Sequence, residues 1–422
     1  MQYNEQELKK GIKLHTIKTD KFKTNLIAVF LTAKLNRENV TKNALISTLL
    51  RRGSKTMDTQ EAISKQMEEM YGASFDCGLD KTGDNQVIKF YIETINDNFI
   101  PQQGEELLKT SIENILEIAF NPYIENGGFK QEYLDQEMNN IKQRIDGKID
   151  NKARFAVDRC IEEMYKDKPF GLFKFGYKED LDQINAVDLY NYYKQLINTC
   201  KIDIFVSGII NDDTKTIIEQ NENIQNLQER EPDYVVPKIE AKEPKQEDVV
   251  TESMDVTQGK LILGLDVELD DDEQKYTTLI YNSLLGGDAN SKMFQNVREK
   301  AHLAYVASSS YLRYKNNIFV NCGIEISNYE KALELIRQQI EDMKKGDFTD
   351  EELENSKQGV IASINTIYDE QDTQIMYYFG QELTKAKTTL EQYSEKVQNV
   401  TRQGVIDIAN KVNVNTIYFL RD

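Results

Sequence analysis

Short stretches in which apolar and polar residues alternate open each half of the chain, and this period of two predicts β-strands. The predicted opening strands are Ile12–Ile17 and Asn25–Ala33 in the first half, and Val249–Val256 and Lys260–Val267 in the second. In both halves a predicted helix follows and ends at a glycine, a residue that favours helix termination. These helices are Asn43–Arg52 before Gly53 and Gln274–Leu285 before Gly286.

The same order of elements continues through both halves. Strand pairs are predicted near Ser74–Leu79 and Val87–Ile92, and again near Ala304–Leu312 and Ile318–Ile324. Long helices follow at Glu132–Asp150 and Glu352–Asp369, and the closing strands are Lys201–Ser207 and Asn415–Leu420. A repeat of about 200 residues indicates a duplicated domain rather than a solenoid. The pattern predicts α+β halves, each a mostly antiparallel sheet with helices packed on one face.

A stretch rich in proline and charge separates the two halves. Residues 228–248 contain three of the six prolines of the chain and show neither a helical nor a strand period. Such a composition predicts an extended linker. We therefore divide the sequence into an N-terminal domain, residues 1–227, and a C-terminal domain, residues 249–422.

One run combines structural signals with candidate chemistry. The segment 284–309 reads LLGGDANSKMFQNVREKAHLAYVASS and predicts a helix ending in a double glycine, a polar turn, a second helix carrying Arg298 and a strand opening at Tyr305. A guanidinium and a phenol both donate to a carbonyl or an oxyanion, and neither is a nucleophile at neutral pH. The run therefore indicates substrate binding without the reactive group. Taken alone, Arg298 could instead neutralise its helix end and Tyr305 could pack on the sheet.

Composition narrows the function classes. The formal net charge is -19 and no Lys/Arg cluster stands out, which argues against nucleic-acid binding. No apolar run approaches the roughly 18 residues of a spanning helix, and the polar N-terminus lacks a signal-peptide core, so we expect a cytoplasmic protein without a membrane partner. The four cysteines stand singly and are expected to be reduced packing residues. With only His15 and His302, one copy cannot build a histidine-rich metal centre.

GGDANSKMFQNVREKAHLAY resembles the C-terminal-half signature of the M16 (pitrilysin-like, insulinase-like) metallopeptidases, a double glycine and a turn followed by R-E-K-x-x-L-A-Y. The first half adds KFKTN at Lys21–Asn25, MYGASF at Met70–Phe75 and F-x-x-E-Y-L-x-x-E at Phe129–Glu137. The resemblance covers nearly the whole chain and points to the bacterial YmfF/YfmF-type subfamily. It implies two duplicated α+β halves of the LuxS/MPP-like metallohydrolase fold that close like a clamshell on a peptide.

Active members of this family carry H-x-x-E-H on the first helix of the first half. Its two histidines bind zinc, and its glutamate is the general base. The segment Leu49–Ser54 matches the residues that follow this motif in the family. The match places the two histidine positions at Ala44 and Thr48, and the base position at Ser47.

The family's third zinc ligand is a glutamate seven residues after another glutamate on a later helix. Glu137 fits the first of these two, and seven residues on stands Arg144. A guanidinium cannot ligate zinc and would repel the ion. The resemblance therefore implies a degenerate metal site, no metal or cofactor in this chain, and zinc in a partner chain.

For the arginine and the tyrosine, the resemblance implies a catalytic role in trans. In two-chain bacterial members one chain holds the zinc motif, and the other supplies this pair. Arg298 and Tyr305 would then hold the carbonyl or oxyanion of the substrate. The strand beside the vacant metal site would pair with an extended peptide by β-strand addition, although its small residues are equally typical of a bulge. The residues implied on this strand are Asp76, Cys77, Gly78 and Leu79.

Two functions stay open from the sequence. The first is a catalytically incomplete subunit that forms a heterodimer with an H-x-x-E-H-bearing M16 chain and assists peptide hydrolysis. The second is a non-catalytic scaffold that binds a peptide or a protein with the same fold. A stand-alone hydrolase would need a nucleophile and a base, and no histidine or lysine is placed to activate Ser47. A homodimer of the isolated chain also stays open.

Overall fold

The computed structural model describes residues 1–101, 106–240 and 246–422, and strands are distributed over both halves. The strands are β1 (Gln2–Lys9), β2 (Ile12–Lys18), β3 (Thr24–Lys34), β4 (Ser74–Thr82), β5 (Asn85–Ile95), β6 (Ile124–Glu125), β7 (Gly128–Phe129), β8 (Lys201–Gly208), β9 (Asp248–Ser253), β10 (Gly259–Val267), β11 (Ala304–Leu312), β12 (Asn317–Ile324) and β13 (Val412–Arg421).

Helices connect these strands. The α-helices are α1 (Val40–Leu49), α2 (Gln60–Glu69), α3 (Leu107–Phe120), α4 (Gln131–Asp146), α5 (Lys152–Met164), α6 (Lys178–Leu181), α7 (Ala186–Thr199), α8 (Thr214–Gln220), α9 (Glu222–Asn226), α10 (Gln274–Asn282), α11 (Tyr329–Lys344), α12 (Asp350–Thr366), α13 (Gln371–Thr384), α14 (Leu390–Gln398) and α15 (Arg402–Ala409). Two π-helical segments are Ser283–Gly287 and Met293–Lys300, and 3₁₀ turns are Asp97–Phe99, Gly147–Ile149, Pro169–Gly171, Ile326–Asn328 and Ile367–Asp369. None of these helices is long and apolar enough to span a membrane.

The chain folds into two compact units, and each contains a segment from the other half of the sequence. The first unit comprises Met1–Asp146, Leu172–Val236 and Glu370–Gly380. The second comprises Gly147–Gly171, Pro237–Asp369 and Gln381–Asp422. Helix α5 of the N-terminal half therefore belongs to the second unit, and most of α13 belongs to the first. The domains predicted from the sequence, residues 1–227 and 249–422, are contiguous, whereas the two units exchange residues 147–171 and 370–380. Each exchanged segment packs on the sheet of the opposite half of the sequence.

The first unit is built on a six-stranded sheet with the order β1-β2-β8-β3-β5-β4. Its neighbours pair antiparallel except β2 and β8, which run parallel. One face buries residues such as Val29 and Leu31 in a core with α1, α3 and α7. The other face buries Phe30 and Phe205 against Phe379 of α13. The rings of Phe30 and Phe379 meet edge to face, with their centroids 4.9 Å apart.

The second unit is built on a five-stranded sheet with the order β11-β12-β10-β13-β9. It is antiparallel except for the β13–β9 pair. Helix α5 packs on one face, where Phe155 and Ile161 join a core with Ile262 and Tyr418. The approach is close at Gly264 of β10, where a Cβ would lie 3.0 Å from the Met164 sulfur.

The α+β class predicted from the sequence is confirmed by this architecture. Helices were expected on one face of each sheet, whereas the exchanged helices α13 and α5 cover residues on the second face. Strand β1 was not predicted, because its residues are mostly polar and lack the alternation of apolar and polar positions that indicates a strand; it is held by its pairing with β2. The two small strands β6 and β7 also went unpredicted, since two residues carry no period.

The predicted linker has neither helix nor strand over residues 228–240, and residues 241–245 of the prediction lie outside the described part of the chain. Its first part is bound to the first unit by backbone hydrogen bonds. Arg230 N donates to Lys10 O at 3.1 Å, and Asp233 N donates to Thr199 O at 2.9 Å.

Candidate functional site

The three residues that the sequence predicts at the zinc-motif positions lie buried on α1. Ala44 is fully buried, and Ser47 and Thr48 expose 3% and 5% of their surfaces. The Ser47 hydroxyl donates to Ala44 O at 2.8 Å, and the Thr48 hydroxyl donates to Leu45 O at 2.9 Å. Both hydroxyls are therefore bonded to the carbonyls of their own helix, which is a common arrangement for Ser and Thr inside helices.

The two residues of α4 that the resemblance assigns to the metal site, Glu137 and Arg144, both have partners within the chain. Glu137 is buried, and its carboxylate accepts from Arg52 Nε at 2.5 Å and from Asn140 at 3.2 Å. Arg144 lies with its guanidinium 5.3 Å from the centre of the Phe175 ring, within range of a cation–π contact. The positions that would face a metal are thus used for an ion pair and for aromatic packing.

The residues present do not fit a zinc ion. Zinc in proteins is bound by thiolate, imidazole or carboxylate groups. The four family positions offer a methyl group, two hydroxyls engaged with the backbone, and a guanidinium. Across residues 1–101, 106–240 and 246–422, no group of three or more His, Cys, Asp and Glu side chains could hold a metal ion.

Strand β4 forms the edge of the first sheet, and its hairpin with β5 decides which backbone groups face outwards. A two-residue turn, with Gly83 at a φ of 56°, joins Thr82 to Asn85. Such a turn makes Thr82 and Asn85 a hydrogen-bonded pair, and bonded pairs then alternate along the ladder. The N–H and C=O groups of Phe75, Cys77 and Leu79 therefore point to the open edge.

This geometry refines the predicted peptide-binding residues. Asp76 and Gly78 use their backbone groups to pair with Tyr91 and Lys89 of β5, so only Cys77 and Leu79 of the four present them outwards. The alternative of a bulge at Cys77 and Gly78 is wrong, because the register between β4 and β5 runs without a shift from Ser74 to Thr82.

Cys77 joins this edge strand to the helix of the lost zinc motif. The Cys77 thiol donates to Ser47 O at 3.1 Å, and the residue as a whole is 6% exposed. Burial raises the pKa of the Cys77 thiol far above its ordinary value. A thiolate nucleophile is therefore not available at this position near neutral pH.

A pocket of about 230 Å³ opens beside the start of β4. Ile63, Met67, Ala73 and Phe75 provide an apolar lining, and Arg51 and Glu68 add charges. Because Phe75 belongs to the open edge and also lines this pocket, the pocket lies next to the edge.

Lys174 is a contact of this edge that sequence reasoning missed. Its ammonium donates to Leu79 O at 2.9 Å and lies 3.2 Å from an Asp80 oxygen. A lysine in a loop carries no signal of such a contact, since its strand partner is 95 positions away in the chain.

Arg298 and Tyr305 both belong to the second unit and are exposed. The guanidinium of Arg298, on the π-helix Met293–Lys300, lies 4.4 Å from the centre of the Phe294 ring, and its Nε is 3.6 Å from Glu299. Its side chain is 41% exposed. No hydrogen bond joins Arg298 to Tyr305 among the residues that the structure describes.

Tyr305 lies at an irregularity of the edge strand β11. Ala304 pairs with Ile324 and Val306 with Gly323, which leaves Tyr305 as the extra residue of a bulge. Bulges at sheet edges turn a side chain out of the ladder. Tyr305 exposes 67% of its surface, so packing on the sheet does not explain its position.

The double glycine fixes the helix end that precedes this pair. The π-helical segment Ser283–Gly287 ends against β11, where a Cβ on Gly286 would lie 2.5 Å from Ser309 N. A larger residue would therefore displace the helix end from the strand that carries Tyr305.

Neither histidine lies in a site of the H-x-x-E-H type. His302 is exposed in the turn before β11, with a φ of 53°. His15 is fully buried, and its Nε2 lies 2.9 Å from Asp203 Oδ1. His15 is a core residue of the first unit.

The comparisons with known proteins agree with this geometry. A family model described as "Peptidase M16 inactive domain" matches residues 183–360. The chain is 32% identical over 421 residues to the "Probable inactive metalloprotease YmfF" of Bacillus subtilis, covering 97% of this chain and 96% of that protein. The chain belongs to the M16 peptidase family. Within the M16 family, it is a homologue of the members described as inactive.

Further relatives extend the comparison. The "Uncharacterized zinc protease YmxG" of Bacillus subtilis is 22% identical over 287 residues, which covers 67% of this chain and 69% of that protein. A crystal structure of a conserved protein from Enterococcus faecalis aligns with a TM-score of 0.91 at 27% identity, covering 99% of this chain and 98% of that chain. The crystal structure of a peptidase M16 inactive domain from Pseudomonas fluorescens aligns with a TM-score of 0.81 at 17% identity, covering 100% of this chain and 98% of that chain. This likeness shows the shared fold.

Proposed function

We propose that this chain is a catalytically incomplete M16 subunit that assists peptide hydrolysis by a zinc-bearing M16 partner with an H-x-x-E-H motif. In this heterodimer the partner would hold the zinc, which would supply the chemistry for activating water, and this chain would supply Arg298 and Tyr305. The observation that carries the proposal is the exposure of Tyr305 at a bulge of an edge strand, beside the helix of Arg298.

The chemistry of the pair suits this role. When water attacks a peptide carbonyl, a tetrahedral oxyanion develops, and donors that are already oriented stabilise it. The Arg298 guanidinium and the Tyr305 hydroxyl are both donors. Both side chains are accessible, and neither is engaged in a buried network.

Substrate binding is proposed at the edge of β4. Within the described residues, the outward backbone groups of Phe75 and Cys77 have no hydrogen-bond partner in this chain. An extended peptide would pair with them by strand addition, in which backbone bonds give affinity and pockets give selectivity. The 230 Å³ pocket next to Phe75 would receive an apolar side chain.

The partner is proposed from the chain's own incompleteness. The motif positions Ala44, Ser47 and Thr48 offer no zinc ligand, so hydrolysis of the family type needs a second chain. Two relatives, one named as an inactive metalloprotease and one as a zinc protease, come from Bacillus subtilis. Both kinds of chain therefore occur in one organism, which supports a division of roles.

The test measures peptidase activity of each chain alone and of the mixture. The partner is obtained by co-purification from the source cell and identified by its H-x-x-E-H motif. We expect activity in the mixture and a loss of about 10²–10³ in kcat for Tyr305→Phe, the usual effect of removing one oxyanion donor. Arg298→Met is expected to lower kcat comparably.

A matched control for Tyr305→Phe is available in the second unit. Tyr368→Phe removes a hydroxyl that donates to Glu391, and it should leave the rate unchanged. If the Arg298 and Tyr305 variants also leave the mixture's rate unchanged, the donor role is wrong. Peptide binding without hydrolysis in any mixture would favour the alternative, a non-catalytic peptide-binding scaffold, for which the open edge of β4 already provides a surface.

A further inference from the structure

The loop Leu172–Tyr177, here called the strap, contacts the end of β4 nearest the β4–β5 turn. Lys174 Nζ donates to Leu79 O at 2.9 Å, and in return Lys81 Nζ donates to Leu172 O at 3.0 Å. The Lys174 ammonium also lies 3.2 Å from Asp80 Oδ1. The ammonium of Lys174 therefore occupies the Leu79 carbonyl, which faces the open edge of β4.

The strap is held in place by contacts on both sides of Lys174. Gln86 Nε2 donates to the Lys174 carbonyl at 2.8 Å, and Tyr177 N donates to the Thr41 hydroxyl at 3.1 Å. Gly176 has a φ of 76°, and any Cβ there would overlap Thr41. The strap backbone is therefore packed directly against Thr41 of α1 at Gly176.

The position of the lost third zinc ligand also contributes to the strap. Arg144 lies over the Phe175 ring at 5.3 Å, and Lys174 lies 5.2 Å from the same ring centre. A glutamate at position 144 would remove the first of these cation–π contacts. The residue predicted at the third-ligand position therefore contacts the strap.

The strap changes how much of β4 a peptide can use. The outward residues Phe75 and Cys77 keep both backbone groups available, whereas the carbonyl of the third outward residue, Leu79, is already bonded. A strand that continued past Cys77 could still accept a hydrogen bond from Leu79 N, but at the Leu79 carbonyl, its next acceptor, it would have to displace the Lys174 ammonium.

We propose that Lys174 is a specificity-determining residue that ends the peptide-binding edge at Leu79 and so selects short extended segments. The proposal rests on the proposed function, in which β4 pairs with a peptide. It predicts that affinity stops rising with peptide length once Phe75, Cys77 and the N–H of Leu79 are paired.

The experiment compares two capped synthetic peptides by fluorescence anisotropy, one of three residues, Thr-Phe-Thr, and one of seven, Thr-Val-Thr-Phe-Thr-Val-Thr. The proteins are the wild type, Lys174→Met, which keeps an apolar stem without the ammonium, and Lys174→Arg, which keeps a donor. Lys178→Met is the matched control, because Lys178 lies just beyond the strap and pairs with Asp146 instead. Thermal unfolding of each variant establishes that it is folded.

We expect Lys174→Met to bind the seven-residue peptide about two- to tenfold more tightly, the effect of one additional net hydrogen bond. Binding of the three-residue peptide should not change, and Lys174→Arg and Lys178→Met should behave as the wild type. If the wild type binds both peptides and Lys174→Met leaves the affinity of the longer one unchanged, the inference is wrong while the proposed function stands. If no protein binds either peptide, peptide binding at β4 and the inference both fail.

Discussion

A buried charged network in the first sheet allows a quantitative prediction, the effect of Asp203→Asn. Asp203 is fully buried on β8, where it forms an ion pair with Lys201 and accepts from His15 Nε2 at 2.9 Å. The other nitrogen of His15 lies 2.8 Å from the Tyr3 hydroxyl. The Tyr3 ring in turn stacks on Tyr378 of the exchanged helix α13, with centroids 3.8 Å apart.

The magnitude follows from what the substitution leaves behind. The Lys201 side chain is 4% exposed, so without the carboxylate its ammonium stays buried beside a neutral amide. Breaking a buried ion pair from one side typically costs about 3–5 kcal/mol. We therefore expect Asp203→Asn to destabilise the first unit by about 3–5 kcal/mol, and Lys201→Met in the same chain to recover part of this loss.

The pH dependence provides a second readout. Burial alone would raise the pKa of Asp203, but the charge of Lys201 and the hydrogen bond from His15 outweigh burial and hold the pKa below its ordinary 3.8. Because the folded pKa is the lower one, the stabilisation is complete above pH 3.8 and is lost as the pH falls below it. The difference between wild type and Asp203→Asn should therefore shrink between roughly pH 4 and pH 2.

Urea unfolding followed by circular dichroism and tyrosine fluorescence measures this effect, since the chain has no tryptophan. Hydrogen exchange of β2 and β8 assigns the loss to the first unit. The control is Asp212→Asn, because Asp212 is fully exposed and lies 3.8 Å from Lys18, where such pairs contribute little. A loss below about 1 kcal/mol for Asp203→Asn would refute a buried ionised pair at this site.

Three further predictions concern the site and the core. Gly286→Ala should lower the melting temperature and the activity of the heterodimer, because its methyl group would lie 2.5 Å from Ser309 N; unchanged values for both would contradict the close packing. Elemental analysis of the purified chain should find no stoichiometric zinc, and zinc dependent on Ala44 and Thr48 would overturn the assignment of the motif positions. Iodoacetamide should leave the folded chain unlabelled at pH 7.5, since all four cysteines are buried and burial raises the pKa of Cys160, Cys200 and Cys322 to about 12; labelling before unfolding would contradict this.

Elements with a strong local period were predictable from the sequence. The predicted strand Asn25–Ala33 lies within β3 (Thr24–Lys34), and the predicted helix Gln274–Leu285 covers α10 and most of the π-helical turn after it. The sheets on which α5 and α13 pack were not predictable. The sequence of a helix indicates which of its faces is apolar, but not which sheet that face contacts. Strand β1 was missed because edge pairing needs only backbone groups, which every residue has.

In the candidate site, too, some residues could be identified from the sequence and others only from the fold. The double glycine, Arg298 and Tyr305 stand in one continuous run, so a motif could identify them. The outward direction of Cys77 depends on the length of the turn at Gly83, which fixes the alternation along the ladder. Lys174 reaches Leu79 only through the fold, and no spacing in the sequence relates the two.

The exchange of α5 and α13 has a consequence for the order in which the protein can fold during synthesis. The second face of the first sheet is covered by residues 371–380 of a 422-residue chain, so it stays uncovered until most of the polypeptide has left the ribosome. Until then Phe30 and Phe205 lack their helix, and apolar surface of this kind promotes aggregation and chaperone binding. We expect chains truncated at residue 360 to be held by chaperones, and the chain that extends through β13 to be released, because only then are both sheets complete.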